Sequence, residues 1–221
     1  FIRWLIINYF NLIFSNKSIL RIFQQEIFKK FKIVGEVIEF GASDEISKNF
    51  CNPNLENYKI TYSNINSSNK EFLNIDLQKE TSIDIKYDYV VIFNVLEHLL
   101  NPNLALKNLS KILKKSGKII GSTPFLFRVH GAPKDYSRFT KDHLFELLKS
   151  NNFENIQIIE LGTGPFLACI SLLRSYLKYL PIFYQLFVFL SLIIDNLIKL
   201  IIKTDPKKIY PIGYIFFATR K

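Results

Sequence analysis

Five short apolar runs, at Ile33–Phe40, Lys59–Tyr62, Tyr87–Phe93, Lys118–Gly121 and Ile156–Leu161, recur along the middle of the chain. Helical patterns lie between several of them, clearest at Leu104–Leu113 and Lys141–Ser150. Strands that alternate with helices build a parallel sheet covered on both faces. Ligands in such sheets bind beyond the carboxyl ends of the strands. The loops after Phe40, Tyr62, Phe93 and Gly121 are therefore where chemistry is to be sought.

At 221 residues the chain suffices for one α/β domain with an appendage and is short for two full domains. Its 48% hydrophobic and 22% charged content excludes a disordered chain. A net charge of +10 draws anionic partners: nucleic acid, anionic lipid or a phosphorylated substrate. Nucleic acid is disfavoured, because the basic residues are scattered without interleaved aromatics. Cys51 and Cys169 make neither a metal-ligand spacing nor a disulfide framework, as suits a reducing compartment. The chain opens on Phe1 and has no methionine, which predicts residues upstream of it. Glycine is scarce, at 8 residues, where average usage would supply about 15.

The two ends differ from the middle. In residues 1–32 a helix is expected, with Asn8, Asn11, Ser15 and Ser18 forming a narrow polar stripe. No small-residue cleavage site follows it, so it does not read as a signal peptide. Residues 162–208 are mostly apolar, and Pro181 divides them into two helical patterns. The run IFYQLFVFLSLII is shorter than the ~20 residues of a spanning helix, and Asp195–Asn196 is expected to end it. Lys199, Lys203, Lys207 and Lys208 gather at the far end, which suits an interfacial position on anionic lipid. A homodimer interface is the alternative use of the same apolar surface. Residues 209–221 close the chain as a final core strand.

Three features of the middle segment, 33–161, look like a nucleotide-type site. VIEFGASDEIS ends a strand on Glu39 and turns on Gly41, which lets the backbone approach a ligand. At the end of the next strand, TYSNIN offers Asn64 to a ribose hydroxyl; FLNIDL then places Asp76 where an adenine amino group could donate to it. Taken singly, each also fits an ordinary strand-to-helix turn with acidic caps. The stretch YDYVVIFNVLEHLLNPNLALKNLSKILKKSGKIIGSTPF is more specific. An acidic-aromatic strand, V-L-E-H at its end, an N-P helix start and an L-K-K-S-G turn into S-T-P follow one another in order. This resembles class I S-adenosylmethionine-dependent methyltransferases, over roughly Ile33 to Leu161 plus the terminal strand.

The resemblance implies an α/β Rossmann-like fold: a mostly parallel twisted sheet with helices on both faces, plus an apolar helical insertion before the last strand. It implies S-adenosyl-L-methionine as cofactor, held by Glu39, Gly41, Ser43, Asn64, Asp76 and Asn94. Ser43 and Glu45 stand where the family has two further glycines. Ser43 is small enough for close approach, whereas Glu45 would repel the cofactor carboxylate unless it points to solvent.

The string HGAPKDYSRFT resembles a subgroup of these enzymes associated with cell-surface polysaccharide and glycolipid assembly. That implies a sugar-like acceptor, with His130 as base and His98 at the active-site mouth as the second candidate. Asp135, Tyr136 and Arg138 are then acceptor, aromatic wall and anion clamp. The plainer reading pairs Asp135 with Arg138 and lets Thr140 cap the next helix. His143 receives no role, and no metal is called for. A lipid or quinone acceptor, or an idle membrane-docking subunit of the same fold, are the competing readings. The expected location is cytoplasmic, peripheral on the inner face of the cell membrane.

Overall fold

The computed structural model describes residues 17–51, 58–65, 67–79, 85–131 and 134–221. The first elements are α1 (Ile19–Phe28), β1 (Gly35–Phe40), β2 (Tyr58–Ser63), β3 (Tyr87–Phe93), α2 (Pro102–Ile112) and β4 (Leu113–Pro124). There follow α3 (Lys141–Ser150), β5 (Phe153–Leu161), α4 (Pro165–Leu177), α5 (Pro181–Ile201), the short α6 (Pro206–Ile209) and β6 (Gly213–Arg220). Two compact units result, one of Phe1–Lys29, Pro124–Arg128 and Glu160–Tyr214, the other of Lys30–Thr123, Val129–Ile159 and Ile215–Lys221.

The strands form one six-stranded sheet in the order β2-β1-β3-β4-β6-β5. Pairing is parallel from β2 through β1 and β3 to β4. The chain leaves β1 outward to β2, then returns to β3 on the other side of β1. That reversal opens a crevice at the carboxyl ends of β1 and β3.

Residues Val37, Ile38, Val90, Val91 and Ile92 are wholly buried, as expected of central parallel strands covered on both faces. Helix α2 starts where Asn101 accepts the Leu104 N–H at 3.0 Å and Pro102 takes the first turn. Its Ala105, Leu106, Leu109 and Ile112 are the buried stripe. Asn108, on the same helix, donates to the carbonyls of Leu77 (3.0 Å) and Lys79 (2.7 Å) and so ties down the loop carrying Asp76.

Three local expectations are corrected. The L-K-K-S-G segment is part of β4 rather than a turn before it. The extra residues are absorbed by an irregularity, since Tyr87 pairs with Leu113 but Tyr89 with Lys118, and Ser116 takes a φ of 61°. Ser18 is the N-cap of α1, accepting the Arg21 N–H at 3.1 Å, rather than a member of a helical stripe. Asn8, Asn11 and Ser15 lie outside the described residues.

The third correction is Asp195, which does not end the apolar helix. Helix α5 passes through it for 21 residues and is long and apolar enough to cross a membrane, with mean hydropathy 1.8. Asp195 stays 1% exposed because its carboxylate has partners. It accepts the Thr163 hydroxyl at 2.7 Å and the N–H groups of Phe166 and Leu167 at 3.0 and 3.1 Å. It thus caps the first turn of α4 from the neighbouring helix. Gly164 has no side chain because a Cβ there would lie 2.8 Å from the Asp195 carboxyl.

Candidate active site

A cavity of about 360 Å³ lies in the crevice. Gly41, Ser63, Asn64, Asp76, Asn94 and His98 are among the residues that line it. Gly41 sits at φ 69°, and a Cβ on it would come within 2.5 Å of Val95 Cγ2. Glycine is therefore required here both by the backbone conformation and by the close passage of the loop after β3. Asn94, at φ 55°, adopts the same left-handed region and gives its N–H to Ser122 O at 2.8 Å. The Asn64 amide donates to Ala42 O at 2.8 Å, which locks the ends of β1 and β2 together.

The cavity wall fits a nucleoside. Ser63, wholly buried at the end of β2, has a hydroxyl without a hydrogen-bond partner among the described residues. A buried polar atom left unpaired costs about 1–3 kcal/mol, which a ligand hydroxyl would relieve. Asp76 accepts the Gln78 N–H at 2.9 Å and stands 3.5 Å from the Lys79 ammonium, with its side chain still 29% exposed. Sequence reasoning missed Ser63, although its place as the last residue of β2 was a usable signal.

Two of the residues expected at the cofactor lie away from the cavity wall. Glu39 is 4% exposed and absent from the cavity wall. Its two oxygens accept the N–H groups of Phe50 (2.9 Å) and Cys51 (2.8 Å), so it ties down the returning loop. Burial, with the Glu39 charge beside it, pushes the Cys51 thiol far up. Ser43 is also off the wall: its N–H goes to Asn49 Oδ1 at 2.6 Å and its hydroxyl accepts the Glu45 N–H at 3.2 Å. Glu45 is exposed and pairs with Lys48 at 2.5 Å, so its charge faces solvent.

Above the cavity, the segment after β3 meets the HGAPKDYSRFT loop. The Glu97 carbonyl accepts from Tyr136 N–H (2.8 Å) and Ser137 N–H (3.3 Å). His98 Nδ1 lies 2.6 Å from the Lys134 carbonyl, which can only accept. Nδ1 therefore carries a proton. The His98 and His130 rings meet edge to face, with centroids 4.9 Å apart. His130 Nδ1 is 3.3 Å from Asp135 Oδ2, and its backbone N–H donates to that same oxygen at 2.9 Å.

Asp135 and Arg138 form the pair of the plainer reading. Nη1 and Nη2 reach the two carboxylate oxygens at 2.5 and 2.6 Å, and Nη1 also donates to Ser137 O. The guanidinium hydrogen bonds hold Asp135 well below the usual carboxylate range. The expected anion clamp is corrected: the guanidinium is turned onto its own loop, and the buried Asp135 orients His130 instead of an acceptor. Thr140 caps α3 by accepting the His143 N–H at 3.3 Å. Tyr136 lines the cavity and is 44% exposed.

Glu97 is the residue sequence reasoning passed over, although V-L-E-H contained it. Its side chain is 0% exposed, and neither oxygen has a hydrogen-bond partner on another of the described residues. Burial pushes its carboxyl up to about 8, against the pull of its own backbone N–H and of the Arg138 cation. The sequence called for no metal, yet folding gathers three ligand-type side chains here. Glu97, His98 and His130, 33 positions apart at the extremes, place one ligand atom each within 4.8 Å of one another.

The fold has well-defined relatives. The structure of the CurJ carbon methyltransferase matches 96% of this chain and 61% of that one, with a TM-score of 0.57 at 10% identity. Phosphoethanolamine N-methyltransferase 2 of Haemonchus contortus, crystallised with S-adenosyl-L-methionine, matches 96% of this chain and 56% of that one, at 0.53 and 15%. An S-adenosylmethionine-dependent methyltransferase from Archaeoglobus fulgidus matches 97% of this chain and 99% of that one, at 0.57 and 14%. The chain spans about three fifths of the length of the first two. No curated protein matches it in sequence. A family model described as a methyltransferase domain matches residues 16–158. Covered by that model over more than half its length, the chain belongs to the methyltransferase domain family.

Proposed function

We propose that this chain O-methylates a hydroxyl of a sugar, on a glycan or glycolipid precursor of the cell surface. The observation that carries this reading is the paired imidazole rim at the mouth of the cofactor cavity. When bound, S-adenosylmethionine supplies an already activated methyl group, so the protein has only to align, exclude water and manage a proton. An amine acceptor brings its own lone pair, whereas a hydroxyl must give up its proton as the new bond forms. His130 is built for that task. Asp135 stands beside Nδ1 and Arg138 braces Asp135, which orients the imidazole to take the acceptor's proton, much as a carboxylate orients a histidine base elsewhere. Tyr136 offers a hydroxyl and a ring face to a sugar. Gly41, Asn64, Asp76 and Asn94 hold the donor, with Ser63 added.

The test is methyl transfer from isotopically labelled S-adenosylmethionine to a panel of lipid-linked and free oligosaccharides, quinols and amines. Label in an alkali-stable ether on a sugar is the expected result. Transfer to a quinol or a lipid amine would replace the acceptor class, and calorimetric binding without any transfer would favour an idle subunit.

The apolar hairpin of α4 and α5 is proposed to rest on an anionic membrane surface. Only 28% of the most apolar stretch of α5 is buried, and Leu200 and Ile201 are each 82% exposed. Tyr176, Ile182 and Phe183 are exposed on the same pair of helices, and Tyr179 in the turn between them. Aromatic and aliphatic side chains beside Lys203, Lys207 and Lys208 suit an interface of acyl chains and anionic headgroups. The protein is expected to float with phosphatidylglycerol-containing vesicles and much less with neutral ones. Recovery in the soluble fraction as a stable dimer would assign the surface to a second copy instead.

A further inference from the structure

We propose that Glu97, His98 and His130 bind a divalent transition-metal ion at the mouth of the cavity. Two imidazoles and one carboxylate converge from separate segments, and their ligand atoms already lie within 4.8 Å of one another. Donors bound at ~2.0–2.2 Å around one tetrahedral ion stand about 3.4 Å apart. The His98 Nε2 to Glu97 Oε1 separation is 3.8 Å, too long for a hydrogen bond and close to that ligand spacing. Only side-chain adjustments of an ångström or so are needed.

The outer partners are those that metal-bound histidines require. A ligating imidazole normally gives its other N–H to a carbonyl or a carboxylate, which fixes the tautomer and aims the ring. His98 has the Lys134 carbonyl at Nδ1 and His130 has Asp135, itself braced by Arg138. His98 thereby presents Nε2 as its donor atom. Glu97 supplies an independent reason for a cation. Its carboxyl group is completely buried beside these rings, and among the described residues it has no close hydrogen-bond partner beyond its own backbone N–H. A buried acidic group without partners is costly, and coordination satisfies it.

Two neutral imidazoles and a single carboxylate select a first-row ion such as zinc, cobalt, manganese or iron over calcium or magnesium, which prefer oxygen donors. Three protein ligands leave coordination positions open, as in catalytic rather than structural sites. His98 lines the cavity, so an acceptor hydroxyl there can occupy such a position. A coordinated hydroxyl loses its proton more readily. With the ion present the proton passes from the coordinated oxygen to solvent, and His130 acts as a ligand rather than as the base. Whether the ion binds is independent of the methyltransferase reading; what it does there rests on that reading.

The test uses the full chain without a polyhistidine tag, stripped by a chelator and titrated with cobalt(II), zinc(II) or manganese(II). One equivalent of cobalt is expected, with visible absorption of a four- or five-coordinate ion and elemental analysis in agreement. Glu97→Gln and His130→Asn are each expected to weaken uptake by at least about tenfold to a hundredfold, while thermal unfolding shows both variants folded. Binding of S-adenosylmethionine is measured on the same stripped and loaded samples. Metal uptake without cofactor binding would sink the methyltransferase site and leave the ion site standing. No uptake at millimolar metal, or uptake untouched in both folded variants, overturns the proposal.

Discussion

Replacing Gly41 by Val is expected to weaken S-adenosylmethionine binding by about a hundredfold. The residue stands at φ 69°, and its first side-chain carbon would lie 2.5 Å from Val95 Cγ2. A β-branched residue in that left-handed conformation costs roughly 1–2 kcal/mol, and the clash adds about 1–3 kcal/mol unless the loop moves. Movement displaces the ends of β1 and β3 together, and both line the cavity. A combined effect near 3 kcal/mol corresponds to roughly a hundredfold loss of affinity. Titration calorimetry measures it directly. Ser43→Ala serves as the contrast, with affinity held within a few-fold, because Ser43 is off the cavity wall. Absence of heat from the parent protein at millimolar cofactor would overturn the assignment of this cavity to the donor.

The second large effect is expected at His130. His130→Asn should lower turnover by about 10²–10⁴-fold, the usual contribution of a positioned acid–base group. Affinity for S-adenosylmethionine should change little, because His130 is not on the cavity wall. Steady-state kinetics alongside calorimetry separates the two quantities. Joint loss of cofactor binding and thermal stability would mean that the loop is a structural brace. An unaffected His130→Asn beside an inactive His98→Asn would pass the role to His98. The experiment reports the same loss whether His130 takes the proton or holds the ion, so the cobalt titration is what separates those roles.

The chain's local chemistry determined its elements and their order. Lys141–Ser150 was legible as a helix because Leu144, Leu147 and Leu148 fall on one face, and those residues are the buried ones. Tyr87–Phe93 was legible as a central strand because an unbroken apolar run can be buried only on both sides. From that order came the location of the site at the strand ends, and with it Gly41, Asn64, Asp76, Asn94 and His98. Boundaries were harder to read where geometry absorbs residues, as at Ser116, whose left-handed backbone lets L-K-K-S-G continue into β4.

What each polar side chain does was decided only by tertiary structure, because hydrogen bonds depend on which groups the fold brings within 3 Å. Glu39 looked like a ligand contact, yet its oxygens meet the N–H groups of Phe50 and Cys51, eleven and twelve residues later. Asp195 looked like a helix end, yet the N–H groups of Phe166 and Leu167 bind it inside the helix. Arg138 looked like an anion clamp and is a brace for Asp135. Glu97 stood within V-L-E-H, but nothing in that string marked its side chain as a ligand. It becomes a candidate ligand because folding removes it from water and sets two histidines beside it, one of them 33 residues away. Spacing along a chain reports side chains that share a helix face or a strand. Groups that meet across loops leave no such trace, and this active-site rim is made of them.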